Sequence, residues 1–512
     1  MLTTIRSCTN RGLESMLVEF AIELSPESDI SMIKGLSDDA YTQTKERLYS
    51  AIYTSGYLFP SQGMNVHLTP EDLSMDGLGH TLAIAIGILQ ASQQISPSRD
   101  LNECLFLGDL SYDGRCQHVP GILSMVTVAR EKQIASVFVP AVDIKEAALV
   151  PEVTLYPVET LQQVVSHLNG WQPIEPYVAR TNFLSSTASG VSGLDMSTIR
   201  GQEHVKRGIE VAVSGGHHLL LSSTPEIDTF CFAQAALSLL PPMEFQEMLE
   251  VTAIYSASNL LGADDPLMTH RPLRAPHWTV SASELIGSPE PLPRPGEVSL
   301  AHCGILFLSE VSVFHQGVLD QLHQPLTEKK AKLLWRQSLI TYPANCLVAA
   351  RMQPCPCGYA QDPIEVCHCV PAAIEQYQKS MSRALLAHFD ISVEVPRVDA
   401  EKLAKKRQVE TSSTIRSRVQ DARERQLHRF AKTELRLNAE MGMVEVASFC
   451  TLEVSAQKLW EAASQQLHLS TAVRHRILRV ARTIADLAAS DVIEAQHLAE
   501  AIHYRLRLSH EP

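Results

Sequence analysis

No stretch of this chain approaches the roughly 18 unbroken apolar residues that a membrane-crossing helix needs, so no such helix is expected. The opening MLTTIRSCTNRGLES lacks a basic end followed by an apolar core. It is not expected to be a secretion signal, and cytoplasm is the default compartment. Basic charge is not in excess: 43 Lys and Arg stand against 57 Asp and Glu, a net charge of -14. That excludes a globally basic nucleic-acid coat but not a local basic channel, because charge acts through its distribution. Internal repeats and low-complexity tracts are also missing. The absence with most consequence is local. Residues 219–242, LLLSSTPEIDTFCFAQAALSLLPP, read as a buried strand, a loop and an amphipathic helix. This is the frame on which nucleotide-binding proteins carry a phosphate loop, yet between Leu221 and Phe232 there is neither glycine nor lysine.

What is present is ordinary globular composition, 45% hydrophobic and 20% charged over 512 residues, enough for two to four domains. Residues 1–170 are expected to form one α/β domain. NVHLTP (65–70) and SVFVPA (136–141) read as strands. TLAIAIGILQAS (81–92) is too long for a core strand and reads as a buried helix. CLFLGDLSYDGRCQHVPG (104–121) reads as a hairpin turning at Asp113-Gly114. A Pro-, Ser- and Thr-rich linker is expected over 171–192. From 193 to 398 the pattern changes. GQEHVKRGIEVAVSGG (201–216) is a helix with Val205, Ile209 and Ala212 on one stripe, ended by two glycines. Continuous apolar runs in HHLLLSS, HCGILFLSEVS, ANCLVAARMQP and DISVEVP mark strands covered on both faces. Their alternation with helices implies an open, mostly parallel sheet. Residues 399–512 read as helical. The stretch 400–432 is dense in basic charge and is either a solvated helix face or a nucleic-acid contact. Ser490-Asp491 is the expected N-cap of the last helix.

Eleven cysteines are unevenly placed, with Cys355, Cys357, Cys367 and Cys369 inside fifteen residues. The rest stand singly, as buried small hydrophobes do. In a reducing compartment a tight cluster points to metal before disulfides. Four thiolates suit tetrahedral zinc, although the C-x-C spacing is tighter than usual. A reduced metal-free loop and a redox pair are the alternatives, and His368 is a bystander between ligands.

In order along the chain, GQEHVKRGIEVA, GGHHLLL, EVTAIYS, RPLRAPHWTVS, PRPGEVSLAHCGILFL, QPCPCGY, VEVPRV, ARERQL and RILRVARTIADLA resemble successive signatures of the ComM/YifB family. These are magnesium-chelatase-like AAA+ ATPases, and the resemblance runs nearly end to end. It implies a Lon-protease-like α/β N-terminal domain, an AAA+ parallel-sheet α/β core and a helical C-terminal lid. It also implies a hexameric ring motor that draws DNA through its pore and drives branch migration during natural transformation. It supports zinc at the four cysteines, since family members carry this insertion.

The resemblance breaks where the chemistry should be. The family's phosphate loop is glycine-rich and ends in Gly-Lys-Thr. Glycines let backbone N–H groups ring the phosphates, lysine supplies charge, and the hydroxyl holds magnesium. Aligned without a gap, the glycine positions hold Ser223, Glu226 and Asp228. The lysine position holds Thr229 and the magnesium-ligand position Phe230. Losing two charge-assisted bonds at about 1.5–3 kcal/mol each removes roughly 3–6 kcal/mol, or about 10²- to 10⁴-fold in affinity. In the acidic motif Ser309 replaces aspartate, and Glu310, the family's water activator, is left alone. Gln353 replaces a sensing asparagine, Ala387-His388-Phe389-Asp390 lacks the arginine that would reach a neighbour's phosphate, and Ala472 replaces a lid arginine. Arg474 lies about 200° further round the helix and is no substitute. Arg476 matches a retained arginine read as structural.

Losses confined to phosphate and metal contacts point to a pseudo-ATPase, with Mg·ATP binding weak or absent. The expected role is a DNA-binding or regulatory subunit in a homo- or hetero-oligomeric ring, mixing with an active paralogue. An active helicase or translocase with a rebuilt site and a non-catalytic scaffold are the alternatives. Peptidase activity is not expected, because MDGLGHTLAIAIG (75–87) has no serine after Met75 and Thr81 opens an apolar helix. Arg271, Arg274 and His277, beside Trp278, are one candidate DNA strip. Lys329, Lys330, Lys332 and Arg336 are a second.

Overall fold

The computed structural model describes residues 2–25, 32–33, 38–70, 79–178, 193–262, 266–290, 292–336, 338–360, 362, 364–397 and 409–506. The turn that includes Met75, the linker beyond residue 178 and residues 400–408 of the basic stretch lie outside the described residues. Packing divides the chain into two units, Met1–Ala188 with Met248–Met268, and Ser189–Glu247 with Thr269–Pro512.

The first unit is built on a seven-stranded sheet. Its strands are β1 (Leu2–Arg11), β2 (Glu14–Ser25), β3 (Met32–Ile33), β4 (Gly63–Thr69), β5 (Cys104–Phe106), β6 (Ser136–Pro140) and β7 (Thr154–Val158). They lie in the order β3-β4-β2-β1-β5-β6-β7. β1, β2 and β4 pair antiparallel, and β1, β5, β6 and β7 pair parallel. The apolar run after His80 is the buried helix α1 (Thr81–Ala91). At Gly87 a Cβ would stand 2.3 Å from Ile22 Cδ1, so glycine lets α1 lie directly on the sheet. Thr81 spends its hydroxyl on Asp109 and accepts from Leu110 N at 2.6 Å.

The hairpin expected over 104–121 is smaller than the sequence suggests. Cys104–Phe106 is an interior parallel strand, and only Asp109–Leu110 and Cys116–Gln117 pair across the Asp113-Gly114 turn. The sequence also carries no hint that residues 248–268 join this unit. Ser256 shows why: its hydroxyl donates to Glu146 at 2.5 Å and accepts from Gly121 N at 3.0 Å. A buried carboxylate needs such partners.

The second unit holds a five-stranded, wholly parallel sheet. In chain order its strands are β8 (Leu219–Ser223), β9 (Leu273–Arg274), β10 (Ile305–Leu308), then, after a separate β11 (Lys330–Trp335) and β12 (Ser338–Pro343) ribbon, β13 (Leu347–Met352) and β14 (Ile391–Val395). The order across the sheet is β9-β10-β13-β8-β14. Helices α2 (Glu203–Gly215) and α3 (Phe230–Leu239) pack on it, and α2 ends in left-handed Gly216. A short α4 (Arg383–Leu386) precedes β14. The helical C-terminal region includes α5 (Ser412–Arg429), α6 (Thr471–Leu487) and α7 (Ala495–His503), with two further helices, Met443–Phe449 and Val454–Gln466, between α5 and α6.

Ser490-Asp491 does not cap the last helix. Arg482, itself buried, takes the carbonyls of both residues, and Ile493 pairs with Leu452 before α7 begins after Glu494. Asp486 sits between two guanidiniums, those of Arg429 and Arg482, and also accepts from Asn438 at 2.8 Å. With Asp486 1% exposed, Asp486→Ala leaves two desolvated cations short of a counter-charge. It is expected to cost about 3–5 kcal/mol, read as a lower urea midpoint at unchanged slope.

Candidate functional site

The site is assembled where β8, β10 and β13 end side by side. β8 lies between β13 and β14, so Leu219, Leu220 and Leu221 are buried, and the strand ends at Ser223, itself still buried. The loop that follows is closed by Ile227 N donating to Thr224 O at 3.3 Å. At the start of α3, Asp228 Oδ1 accepts from Phe230 N at 2.9 Å. A helix N-terminus attracts an anion through its free N–H groups and dipole; here the chain supplies the anion itself. Phe230 turns its ring onto Phe307, with centroids 5.6 Å apart, and joins the core. Thr229 is buried and offers no side-chain cap.

Sequence reasoning missed Arg351, near the end of β13. Its guanidinium is 13% exposed and connects all three strand ends. Nε donates to Ser223 Oγ at 2.8 Å, Nη2 to Thr224 O at 3.0 Å and Nη1 to Glu310 Oε2 at 2.7 Å. The other Glu310 oxygen accepts from Ser312 Oγ at 3.1 Å. Burial pushes the Glu310 carboxyl above its usual range, and Arg351 and Ser312 offset that in part. Each oxygen of the retained glutamate therefore has a protein donor. Between residues 222–224 and 394–396 lies a cavity of about 30 Å³, room for a water or two.

A second arginine holds the loop from its other side. Arg397 pairs with Glu226 at 2.6 Å, Asp362 at 3.0 Å and Glu365 at 3.4 Å, and its guanidinium lies 5.5 Å from the Tyr359 ring centroid. Gly358 has φ of +84°, and a Cβ there would meet Pro225 Cδ at 2.5 Å. The cysteine-bearing segment thus rests directly on the loop. Within it, the ligand atoms of Cys355, Cys357, Cys367 and Cys369 all lie within 4.8 Å of one another. Three of the sulfur pairs are 3.3, 3.6 and 3.7 Å apart. Tetrahedral zinc with Zn–S of about 2.3 Å puts sulfurs roughly 3.8 Å apart, so this donor set fits the ion. The Cys357 thiol is lowered to about 6, chiefly by a hydrogen bond from the Tyr359 backbone.

The remaining positions singled out from sequence fall elsewhere in the second unit. Gln353 presents its carbonyl to Tyr377 Oη at 3.1 Å. His388 bonds His323 at 2.8 Å, Phe389 is buried, and Asp390 pairs with His217 at 2.8 Å and Arg479 at 3.1 Å. Arg476 donates to the carbonyls of Ala387 and Phe389. Ala472 and Arg474 are exposed on α6.

The two candidate DNA strips differ. Arg271 pairs with Glu247 at 2.9 Å, donates to the carbonyls of Pro241, Pro242 and Cys303, and is 10% exposed. Arg274 grips Glu297 through two 2.6 Å bonds. Both guanidiniums serve packing within their own unit, leaving His277 and Trp278 exposed. On the β11–β12 ribbon Lys330, Lys332 and Arg336 are exposed. Lys329 pairs with Glu440 and Lys332 with Glu328. Of the five arginines of α5, Arg425 is exposed, as a solvated face would be, and four are engaged within the unit. Arg416 and Arg423 cap the carbonyls of Ser238 and Val213, Arg418 pairs with Glu210, and Arg429 with Asp486.

Comparison with known proteins agrees with this architecture. Residues 195–403 match the family described as magnesium chelatase, subunit ChlI, and residues 409–505 match its C-terminal family. Residues 19–143 match the family described as subunit ChlI of Mg-chelatase. The chain is 35% identical to YifB of Escherichia coli over 473 residues, 92% of this chain and 90% of YifB. It is 33% identical to competence protein ComM of Haemophilus influenzae over 509 residues, 98% and 97% of the two chains. It is also 33% identical to Rv2897c of Mycobacterium tuberculosis over 496 residues, 97% of each.

The sulfur geometry predicts about one zinc per purified chain by elemental analysis. The Cys357→Ser/Cys369→Ser double variant is expected to retain less than a tenth of it.

Proposed function

Because this chain belongs to the ComM/YifB family of magnesium-chelatase-like AAA+ proteins, we propose that it is a pseudo-ATPase that serves the ring as a DNA-binding or regulatory subunit. The observation that carries the reading is the Arg351 guanidinium, which spans Ser223, Thr224 and Glu310. A nucleotide-dependent site needs positive charge that a triphosphate can reach and a carboxylate free to orient water. Here the Arg351 cation at the end of β13 is paired with the retained catalytic-type carboxylate, Glu310. Asp228, just before α3, and Phe230 support the same reading, since one brings negative charge to the helix start and the other has no hydroxyl to offer magnesium. Zinc at the four cysteines would be structural, holding the segment that packs on Pro225.

For the DNA role the β11–β12 ribbon offers more than the Arg271 strip. Leu334 and Leu339 face solvent at 68% and 61% exposure, opposite each other in the ladder. Lys330 and Lys332 share that face by alternation along β11. Cations beside exposed apolar groups suit a phosphate backbone with bases against it. Taken with the competence role in ComM's name, this supports the reading of a subunit in a ring that handles DNA, with ATP turnover supplied by an active paralogue.

The purified chain is therefore expected to release no phosphate from Mg·ATP above background, with or without DNA. Its DNA retention is expected to fall with salt on a negative log–log slope. Lys330→Ala/Lys332→Ala is expected to make that slope shallower by about 1–2. DNA-stimulated turnover near the ordinary enzymatic range of about 1 per second or more would reject the reading.

A further inference from the structure

We infer that the second unit carries a binding pocket for a small amphipathic anion, at the far end of β14 from the vestigial nucleotide site. The pocket has a volume of about 350 Å³, at the lower end for small-molecule sites. It lies beside Asp390, which precedes β14, whereas Ser223 stands beside Val395 at the strand's other end. The inference uses neither Glu310 nor Arg351 and does not depend on the pseudo-ATPase reading.

Four cationic side chains, Lys379, Arg383, Arg476 and Arg505, line the pocket against one carboxylate, Asp390. That carboxylate is already engaged by His217 and Arg479 and is 6% exposed. Lys379 is met by Glu375. Arg383 is exposed and makes no ion pair among the described residues. Arg505 is more telling: its Nε is buried with no hydrogen-bond partner. A buried donor left unmade is costly, and an acceptor entering the pocket would satisfy it. Arg476 is held at the wall by the carbonyls of Ala387 and Phe389.

Apart from Gln378, the rest of the wall is apolar. Leu386, Phe389 and Ile477 are buried and Val473 half-buried beside them. Cations at one side and hydrocarbon at the other select a ligand with one acidic head, carboxylate, sulfonate or phosphate, on a compact apolar body. A bare inorganic anion would leave the apolar wall uncovered, and a neutral hydrocarbon would leave Arg505 unsatisfied.

The test is a fluorescence titration of the full chain with 8-anilinonaphthalene-1-sulfonate, alongside its uncharged relative N-phenyl-1-naphthylamine. The sulfonate is expected to saturate one site with micromolar Kd, and the neutral probe to bind at least tenfold more weakly. Arg383→Ala/Arg505→Met is expected to weaken the sulfonate at least tenfold while leaving the neutral probe unchanged. Arg383→Ala alone, at an exposed position that keeps the fold intact, is expected to weaken it about threefold to fivefold. Equal binding of both probes, or sulfonate binding unchanged in both variants, would overturn the inference. So would sulfonate binding that disappears as copies associate at higher protein concentration, which would assign the pocket to an interface between copies.

Discussion

Arg351 ties together the ends of three neighbouring strands with one side chain. Ser223 closes β8, Thr224 follows it, Glu310 follows β10, and the guanidinium that joins them leaves β13. Charge-assisted bonds of this kind contribute about 1.5–3 kcal/mol each, net of lost hydration. A desolvated ion pair stabilises only while both partners remain. The arrangement is therefore self-consistent and hard to dismantle piecemeal. Admitting a triphosphate would mean pulling Arg351 off Glu310, stranding a carboxylate that burial already raises, and bringing further negative charge toward Glu226 and Asp228.

The same constraint organises the surroundings. The loop after β8 is fastened from both sides: Asp228 to the first turn of α3, and Glu226 to Arg397. The cysteine-bearing segment then packs against Pro225 through Gly358, where no side chain would fit. A zinc ion there would stiffen the segment that packs against this loop. Towards the other end of the sheet the lid helices are held by arginines acting as internal struts. Arg476 reaches the residues before β14, and Arg482 fixes the turn before α7.

Much of this architecture is legible in the sequence. Short apolar runs become the parallel strands β8, β10, β13 and β14, because burial on both faces demands unbroken hydrophobicity. Gly216 stops α2 where a left-handed residue is needed. What escapes is what depends on distant partners. Arg351 sits between Ala350 and Met352 in a run that reads as core, and nothing local announces that its head reaches Ser223 and Glu310. The α5 arginines look like a solvated or nucleic-acid-binding face because their carbonyl partners lie some 180 to 210 residues away in sequence. β9 is only two residues long, too short to leave a period. Residues 248–268 join the first unit through Ser256, one hydroxyl among many.

The claim that rests most directly on these contacts is that the pocket is already satisfied from within. Isothermal titration of the purified chain with Mg·ATP measures this without assuming any activity. The account predicts no saturable binding up to about 1 mM nucleotide, which corresponds to less than roughly 4 kcal/mol of affinity. A single site with Kd below about 10 μM, sensitive to substitution at Thr229, would contradict it.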